Sequence, residues 1–316
     1  MACILHSNHR LKARLLTGCR GATIIITGSS ADNTQRTKRR MNSSDTVSRI
    51  LARSALVPLD AKVLLAHLLG KDRAWLAAHG DAMLTEEQAA AFQALALRRH
   101  RGEPVAYLTG VREFWGLPLA VTRAVLIPRP ETETLVELAL ARLPEDRDVR
   151  MLDLGTGSGA IAIAVASERP RAAILATDVI PDALALARDN ARRVGAGNVD
   201  FVLSDWYEHV PLEWRGAPFD LIASNPPYVA AGDPHLDDGD LRFEPVAALA
   251  AGRDGLDAIR RIVAGARERL AQAGTLVVEH GYDQSEAVRA LFAAAGFGDI
   301  VTARDLAGIP RVVAGR

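Results

Sequence analysis

Four consecutive residues, Asn225-Pro226-Pro227-Tyr228, follow a short apolar segment at 219–224 and could recognise a planar amino group. Each proline fixes φ and removes a backbone N–H donor, so the loop carbonyls stay free and rigidly aimed. Asn225 offers a side-chain acceptor, and Tyr228 offers a flat ring. We predict that a substrate –NH₂ group donates one hydrogen to Asn225 and the other to the Pro226 carbonyl, with Tyr228 packed on its plane.

This clamp suits a reaction in which the bound nitrogen is the nucleophile. An amide or exocyclic amine has a delocalised lone pair and is a weak nucleophile. Holding both of its hydrogens aims the nitrogen and supports the positive charge that develops during transfer. We therefore predict that Asn225, Pro226, Pro227 and Tyr228 are the catalytic and substrate-binding residues. A proline-rich turn without chemistry is the alternative.

A second candidate site is the glycine-rich run from Asp153 to Gly159. Its spacing is G-x-G-x-G, whereas a dinucleotide-binding loop has G-x-G-x-x-G. The tight spacing and the preceding acid favour S-adenosylmethionine, which has no pyrophosphate to cradle. Asp178 ends the next predicted strand, where it could hold ribose hydroxyls. The predicted cofactor-binding residues of this region are Gly155, Thr156, Gly157, Ser158, Gly159 and Asp178.

Alternating strands and helices must position both loops. The pattern predicts strands at 149–154, 173–178, 199–203, 219–224 and 275–279, and helices at 160–167, 181–194, 256–272 and 284–295. A hairpin of short strands is predicted at the end of the chain. Such alternation indicates an α/β fold with a mainly parallel sheet covered on both faces. Ligands of these folds bind at the carboxyl ends of the strands, where both candidate loops lie.

The preceding segment, residues 45–101, is predicted to be helical throughout. The run at 42–45 resembles a helix N-cap, and a second helix follows Pro58 and stops at Gly70. A short helix carries Trp75, and Thr85 with Gln88 resembles a capping box. We expect a small helical bundle, followed by a hairpin with its turn near Gly116.

Charge and composition limit the alternatives. The 316 residues carry equal numbers of basic and acidic side chains, and their composition is that of a globular protein. Residues 1–40 hold eight cations and one anion, so the remainder is acidic and a poor partner for long nucleic acids. We expect residues 1–40 to be a non-native or disordered extension and Met41 to be the start. No segment is apolar enough to cross a membrane, so we expect a cytoplasmic protein.

The sequence resembles the bacterial protein-(glutamine-N5) methyltransferases that modify peptide chain release factors. The resemblance runs from about Met41 to Arg316. It is carried by the stretches 101–107, 114–116, 126–133, 152–159, 204–206, 224–228 and 305–308. The Asn-Pro-Pro-Tyr loop is shared with enzymes that methylate amino groups of DNA and RNA, whereas the stretch 127–133 is far more specific.

The resemblance implies a fold and roles for several residues. The fold is a seven-stranded, Rossmann-like class I methyltransferase sheet at 127–316. A hairpin linker at 111–126 joins it to a helical domain at 41–110 that recognises release factors. S-adenosylmethionine is the implied methyl donor, bound also by Asp205, Trp206 and Asn225, with no metal. Phe114 is expected to line the methionine end, and the glutamine of a Gly-Gly-Gln loop is the implied methyl acceptor.

Two other functions remain open at this point. One is an amino methyltransferase that acts on adenine or guanine in DNA or RNA, and the other is a non-catalytic binding protein with a relict cofactor site. Enzymes that act on bases of DNA flip the base and usually carry a basic recognition region. We therefore expect release factors as partners, with no stable nucleic-acid binding and no membrane association.

Overall fold

The computed structural model describes residues 45–237 and 239–316. The prediction that residues 1–40 are an extension, with Met41 as the start, lies outside these residues. None of the helices that these residues form has the length and apolar character needed to cross a bilayer.

Residues 45–110 form a helical bundle, as the sequence predicts. Its helices are α1 (Val47–Arg53), α2 (Pro58–Leu69), α3 (Arg73–Ala78), α4 (Glu86–His100) and α5 (Val105–Thr109). Leu64, Leu65 and Phe92 are almost fully buried in its core. Gly70 ends α2 with φ 62°, and Thr85 and Gln88 form the predicted capping box.

The N-cap prediction for 42–45 is wrong in position. Thr46 caps α1, because its side chain accepts a hydrogen bond from the backbone N–H of Arg49. Asp45 instead forms an ion pair with Arg53. The run of cap-forming residue types extends through Thr46, so composition alone could not select the capping position.

A two-stranded hairpin follows the bundle. Strand β1 (Val111–Phe114) pairs antiparallel with β2 (Leu117–Ala120), and Phe114 faces Leu117 across the turn. The two turn residues, Trp115 and Gly116, have φ values of 54° and 69°. Positive φ at both positions is the requirement of the tight turn that matches the twist of a hairpin.

Seven strands form the main sheet of the described residues, in the order β5-β4-β3-β6-β7-β9-β8. All pairings are parallel except those of β9 with β7 and β8, which are antiparallel. The strands are β3 (Val149–Leu154), β4 (Ala172–Asp178), β5 (Val199–Leu203), β6 (Phe219–Ser224), β7 (Leu270–Glu279), β8 (Val301–Arg304) and β9 (Pro310–Gly315).

Helices cover both faces of this sheet. They are α6 (Glu133–Leu140), α7 (Ala160–Glu168), α8 (Pro181–Val194), α9 (Leu212–Arg215), α10 (Asp257–Ala266) and α11 (Ser285–Ala294). Successive strand residues point to opposite faces. Met151 thus packs into the cluster of α6 and α7, whereas Leu152 packs into the cluster of α10 and α11. The central strands are mostly apolar because both of their faces are buried.

The predicted helix at 256–272 and strand at 275–279 have wrong bounds. Helix α10 ends at Ala266, and β7 begins at Leu270, where it pairs with Phe219. The register then shifts, and a Cβ on Gly274 would lie 2.8 Å from the Phe219 carbonyl oxygen. The alanine-rich segment has helical propensity, but pairing with β6 overrides it.

Ion pairs join the bundle to the rest of the protein. Glu103 accepts hydrogen bonds from Arg98 and Arg123, which lower the pKa of its carboxyl to about 2. Arg99 pairs with Asp60 inside the bundle and with Asp240 outside it. The cations that end α4 are therefore used in part for structure.

Asn190 on α8 joins the hairpin to the glycine loop. Its side-chain oxygen accepts from the N–H of Ala120, and its amide donates to the carbonyls of Ala120 and Ser158. Asn190 is 1% exposed, so its hydrogen bonds to these backbone groups are shielded from water.

We predict that Asn190→Ala destabilises the fold by about 3 kcal/mol, because it leaves three buried backbone groups without a partner. Urea unfolding followed by circular dichroism measures this. The control is Asp189→Ala, which removes only an exposed ion pair with Arg192 and is expected to cost less than about 1 kcal/mol. Equal effects of the two substitutions would contradict the role given to Asn190.

Candidate active site

A cavity of about 280 Å³ opens at the carboxyl ends of β3, β4 and β6. It brings together most of the residues predicted from sequence as cofactor-binding or catalytic: Gly155, Thr156, Gly157, Ser158, Asp178, Asp205, Trp206, Asn225 and Pro227. The remaining predicted residues lie elsewhere: Gly159 at the start of α7, and Pro226 and Tyr228 beside the cavity.

The three glycines of the loop have different roles. All have positive φ, at 70° for Gly155, 56° for Gly157 and 85° for Gly159. A Cβ on Gly159 would lie 2.7 Å from Ile163, so this glycine permits the packing of α7 rather than contact with a ligand. A Cβ on Gly157 would meet no described atom within 4 Å, and this residue lines the cavity. Gly157 is therefore the point at which the backbone can approach a ligand.

Asp178 fixes the shape of the glycine loop. One carboxyl oxygen accepts from the N–H of Gly157 at 2.8 Å, and the other accepts from the N–H of Ile180 at 2.9 Å. Burial raises the pKa of this carboxyl, and the backbone hydrogen bonds oppose that rise. Each oxygen keeps a second lone pair, so Asp178 can also accept hydrogen bonds from a ligand in the cavity.

Asp153, which the sequence analysis used as an indicator of the cofactor, lies beneath the loop. It is fully buried and accepts from the Thr156 hydroxyl at 2.6 Å and from the N–H of Ala162. Burial raises the pKa of its carboxyl to about 7. It supports the loop from below and is not one of the residues that line the cavity.

Trp206 forms a side wall of the cavity. Its backbone has a φ of 49°, and Ser204 stabilises this turn by donating to the Trp206 carbonyl and accepting from the N–H of His209. The ring lies against Gly155, where a Cβ would stand 3.5 Å from the indole. Neighbouring Asp205 lines the cavity and pairs with exposed Arg261.

The nitrogen of the Asn225 side chain has a hydrogen-bond partner, whereas its oxygen has none among the described residues. Its Nδ2 donates to the hydroxyl of Thr132 at 3.0 Å. Its Oδ1 is buried and has no hydrogen-bond partner among the described residues. Asn225 and Thr132 both line the cavity. The arrangement leaves one acceptor oxygen ready for a donor that enters the site.

Tyr228 is not among the residues that line the cavity. Its ring packs against the apolar cluster of α10 and α11. Its hydroxyl donates to Glu279 at 3.4 Å, and its carbonyl accepts from Gln284. Pro226 is buried. Phe114, expected to line the methionine end, instead lies in the core beside Leu119.

A further wall of the cavity was not predicted from the sequence. Residues 124–126 and Pro128 form one part of it, and Pro245, Ala247 and Ala248 form another. Glu244 holds the two parts together, because it accepts from the N–H of Ile127 and pairs with Arg129. Arg129 lies in the stretch that carries the family resemblance, but no motif identified Glu244.

In the described part of the chain, no group of three or more His, Cys, Asp or Glu side chains is placed so that it could hold a metal ion. Asp240 pairs with Arg99. Glu133 starts α6 and accepts from the N–H of Trp115.

Two family models match the chain. The model of the PrmC N-terminal domain matches residues 45–110, and that of the methyltransferase small domain matches residues 132–238. A solved structure of a protein-(glutamine-N5) methyltransferase (release factor-specific) from Alicyclobacillus acidocaldarius subsp. acidocaldarius DSM 446 is 30% identical. The alignment covers 60% of this chain and 93% of that one, with a TM-score of 0.37.

Curated relatives are closer in sequence. The release factor glutamine methyltransferase of Shigella dysenteriae serotype 1 (strain Sd197) is 52% identical over 257 residues, which cover 81% of this chain and 91% of the relative. The protein of the same name from Xylella fastidiosa (strain 9a5c) is 53% identical over 258 residues, covering 82% and 92%. At this identity over most of both lengths, the chain belongs to the release factor glutamine methyltransferase family.

Proposed function

We propose that this protein methylates the side-chain amide nitrogen of the glutamine in the Gly-Gly-Gln loop of peptide chain release factors. The observation that carries the proposal is the state of Asn225. Its amide nitrogen is occupied by Thr132, whereas its buried oxygen has no partner among the described residues. An unpaired buried acceptor costs roughly 1–3 kcal/mol, which an incoming amide N–H would recover.

The methyl donor in this proposal is S-adenosylmethionine, and the residues of the cavity fit it. The volume of about 280 Å³ lies near the lower end of small-molecule pockets, roughly 300–1,000 Å³. Gly157 leaves room for close backbone approach, and Asp178 has free lone pairs for ribose hydroxyls. Trp206 offers an apolar wall. When bound, this cofactor supplies a methyl group on a positively charged sulfur.

The task of the protein is to aim the acceptor nitrogen. Asn225 accepts one amide hydrogen through Oδ1, and the Pro226 carbonyl accepts the other. Both acceptors favour the partial positive charge that the nitrogen gains as its bond to the methyl carbon forms. In the net reaction an N–H bond is replaced by an N–CH₃ bond, a proton is released, and a neutral thioether remains.

The helices at 45–110 supply the second part of the proposal, contact with the release factor. Leu59 on α2 and Leu97 on α4 are more than half exposed. Exposed apolar side chains of this size suit contact with a protein surface. The acidic remainder of the chain favours a protein over a nucleic-acid substrate.

The test is mass spectrometry of a purified release factor incubated with the protein and isotope-labelled S-adenosylmethionine. We expect one labelled methyl group on the glutamine of the Gly-Gly-Gln loop. DNA and RNA incubated in parallel serve as competing substrates. Label in nucleic acid, with none in the release factor, would overturn the proposal in favour of a nucleobase methyltransferase.

We predict that Gly157→Val greatly weakens the binding of S-adenosylmethionine while the fold survives. The valine side chain would project into the space where the backbone approaches the ligand. Isothermal calorimetry measures the affinity. The matched control is Gly195→Val, because Gly195 also has positive φ and open space around its Cβ but does not line the cavity. Equal loss of affinity in both variants would show that backbone strain, not the site, is responsible.

We predict that Asn225→Ala slows methyl transfer about 10²–10³-fold, by analogy with the loss of one preorganised hydrogen-bonding group. Cofactor affinity should change little, because Gly157, Asp178 and Trp206 contribute the rest of the cavity. Single-turnover methylation at saturating cofactor separates the two effects. A wild-type rate in this variant would mean that the acceptor amide is held by other groups.

A further inference from the structure

The contact between Thr132 and Asn225 joins two separate parts of the chain. Thr132 ends a short 3₁₀ turn (Pro130–Thr132) in the stretch 127–133, which is the more specific part of the family resemblance. Asn225 follows β6 and begins the Asn-Pro-Pro-Tyr loop. Nδ2 of Asn225 donates to the Thr132 hydroxyl at 3.0 Å, and Thr132 is 3% exposed. The stretch 127–133 therefore touches the predicted catalytic side chain directly.

Contacts on both sides hold the turn that carries Thr132. The N–H of Thr132 donates to the carbonyl of Arg129 at 3.1 Å, and the guanidinium of Arg129 pairs with buried Glu244. Directly after the turn, Glu133 accepts from the N–H of Trp115 at 3.0 Å. The Thr132 hydroxyl thus has a fixed place at the wall of the cavity.

The backbone around Asn225 is also held by neighbouring parts of the fold. Just before it, the Ser224 hydroxyl donates to the carbonyl of Leu154 at 2.8 Å. Just after the Asn-Pro-Pro-Tyr loop, Val229 exchanges backbone hydrogen bonds with the segment 249–251. The motions left to Asn225 are rotations of its own side chain. Among the described residues, the Thr132 hydroxyl is the only hydrogen-bond partner of that side chain.

The amide of Asn225 needs such a restraint because its two ends have opposite chemistry. One end is an acceptor oxygen and the other a donor nitrogen of nearly the same size, so a half-turn about the Cβ–Cγ bond exchanges them. Only the oxygen can accept a hydrogen from a substrate –NH₂ group, which the nitrogen would meet as a second donor. With Nδ2 directed to Thr132, Oδ1 is the end left without a partner among the described residues.

We propose that Thr132 is a positioning residue that holds the nitrogen of the Asn225 amide and so leaves its oxygen for the substrate amide. The inference rests on the proposed function, because it gives Oδ1 the role of acceptor for the glutamine –NH₂ group. Thr132 acts through Asn225 and takes no part in making or breaking bonds.

A contact made only for stability would have a different pattern. Buried polar side chains that serve a structural network have hydrogen-bond partners for their donors and their acceptors. Asn225 has a partner for its nitrogen alone, and its buried oxygen belongs to a residue that lines the cavity. The half-satisfied amide indicates a site prepared for a donor that arrives with the substrate.

The experiment compares Thr132→Val and Thr132→Ser with the wild-type protein in single-turnover methylation of a release factor at saturating S-adenosylmethionine. Valine has the shape of threonine but no hydroxyl, so Nδ2 loses its acceptor and the amide can turn. We expect Thr132→Val to slow transfer by roughly 10- to 10²-fold, as misplacement of a reacting group does. Serine retains the hydroxyl and should keep most of the wild-type rate.

Affinities separate positioning from general damage to the site. Thr132→Val preserves the volume of the side chain and leaves the glycine loop untouched, so calorimetry should give an unchanged affinity for S-adenosylmethionine. The concentration of release factor that gives half of the maximal rate should also stay unchanged, because the bundle surface proposed to bind it is intact. The loss should fall on the rate of transfer alone.

The sharpest test places Thr132→Val in the Asn225→Ala variant. If Thr132 acts through the Asn225 amide, its hydroxyl has nothing to hold once that amide is gone. Thr132→Val should then slow transfer in the wild-type background and have no further effect in the Asn225→Ala background. A threonine that only stabilised the cavity wall would lower the rate by the same factor in both backgrounds.

Thr275→Val is the matched control. Thr275 is 2% exposed on β7, where it pairs with Leu221 of β6, and it does not line the cavity. The same substitution there removes a hydroxyl from a buried threonine without removing the hydrogen bond of Asn225. The rate of transfer and the cofactor affinity of this variant should match those of the wild type.

Different results overturn the positioning role and the proposed function. Equal rates for Thr132→Ser and Thr132→Val, or an equal effect of Thr132→Val in both backgrounds, would overturn the positioning role. If Thr132→Val does not fold, Thr132→Ala removes the same hydroxyl and is judged by the same outcomes. If the wild-type protein itself places no methyl group on the release factor, the proposed function fails, and the role of Thr132 fails with it.

Discussion

The site depends on one interaction, the hydrogen bond from the N–H of Gly157 to the carboxylate of Asp178. Loop backbone at the carboxyl edge of the sheet is partly buried, and each inward N–H needs an acceptor. Asp178 supplies one from the end of β4, while Asp153 holds Thr156 and Ala162 from below. The loop is thus held open without help from a ligand. A preformed loop loses little conformational freedom on binding, which favours affinity.

The opposite wall is built on the same principle from more distant parts of the chain. Glu244 is buried and accepts from Ile127, and the guanidinium of Arg129 offsets the cost of burying its charge. The segment around Glu244 also carries Asp240, which pairs with Arg99 of the helical bundle. One stretch of chain therefore forms part of the cavity wall and contacts the bundle. The bundle and the cavity wall are therefore physically connected through it.

Much of the fold could be predicted from sequence because local signals agreed with the tertiary structure. Strands β3 and β6 and helix α8 have the predicted bounds, since buried strands read as apolar runs and Gly195 ends α8. The start of β7 was not predictable in this way. Residues 270–274 have helical composition, and only pairing with β6 makes them a strand.

The positions of some residues of the candidate site could also be predicted from the sequence, and those of others could not. The glycine loop and Asn225 follow strands directly, so their place at the carboxyl edge follows from topology. Thr132 lines the cavity but was not singled out as a site residue, although it lies in the stretch 126–133 that carries the resemblance. Glu244, which supports the cavity wall, could not be found, because no periodic pattern describes the segment that holds it. The stacking role of Tyr228 stays a prediction. In this structure its ring packs against the cluster of α10 and α11, and its hydroxyl donates to Glu279.

The hydrogen bond between Asn225 and Thr132 also indicates why this position holds an amide rather than an acid. Asparagine and aspartate have nearly the same shape, and either could accept a hydrogen from a substrate. An aspartate, however, can only accept, so the Thr132 hydroxyl would have to turn and donate to it. The amide donates to Thr132 with its nitrogen, offers its oxygen as an acceptor, and places no charge in the site.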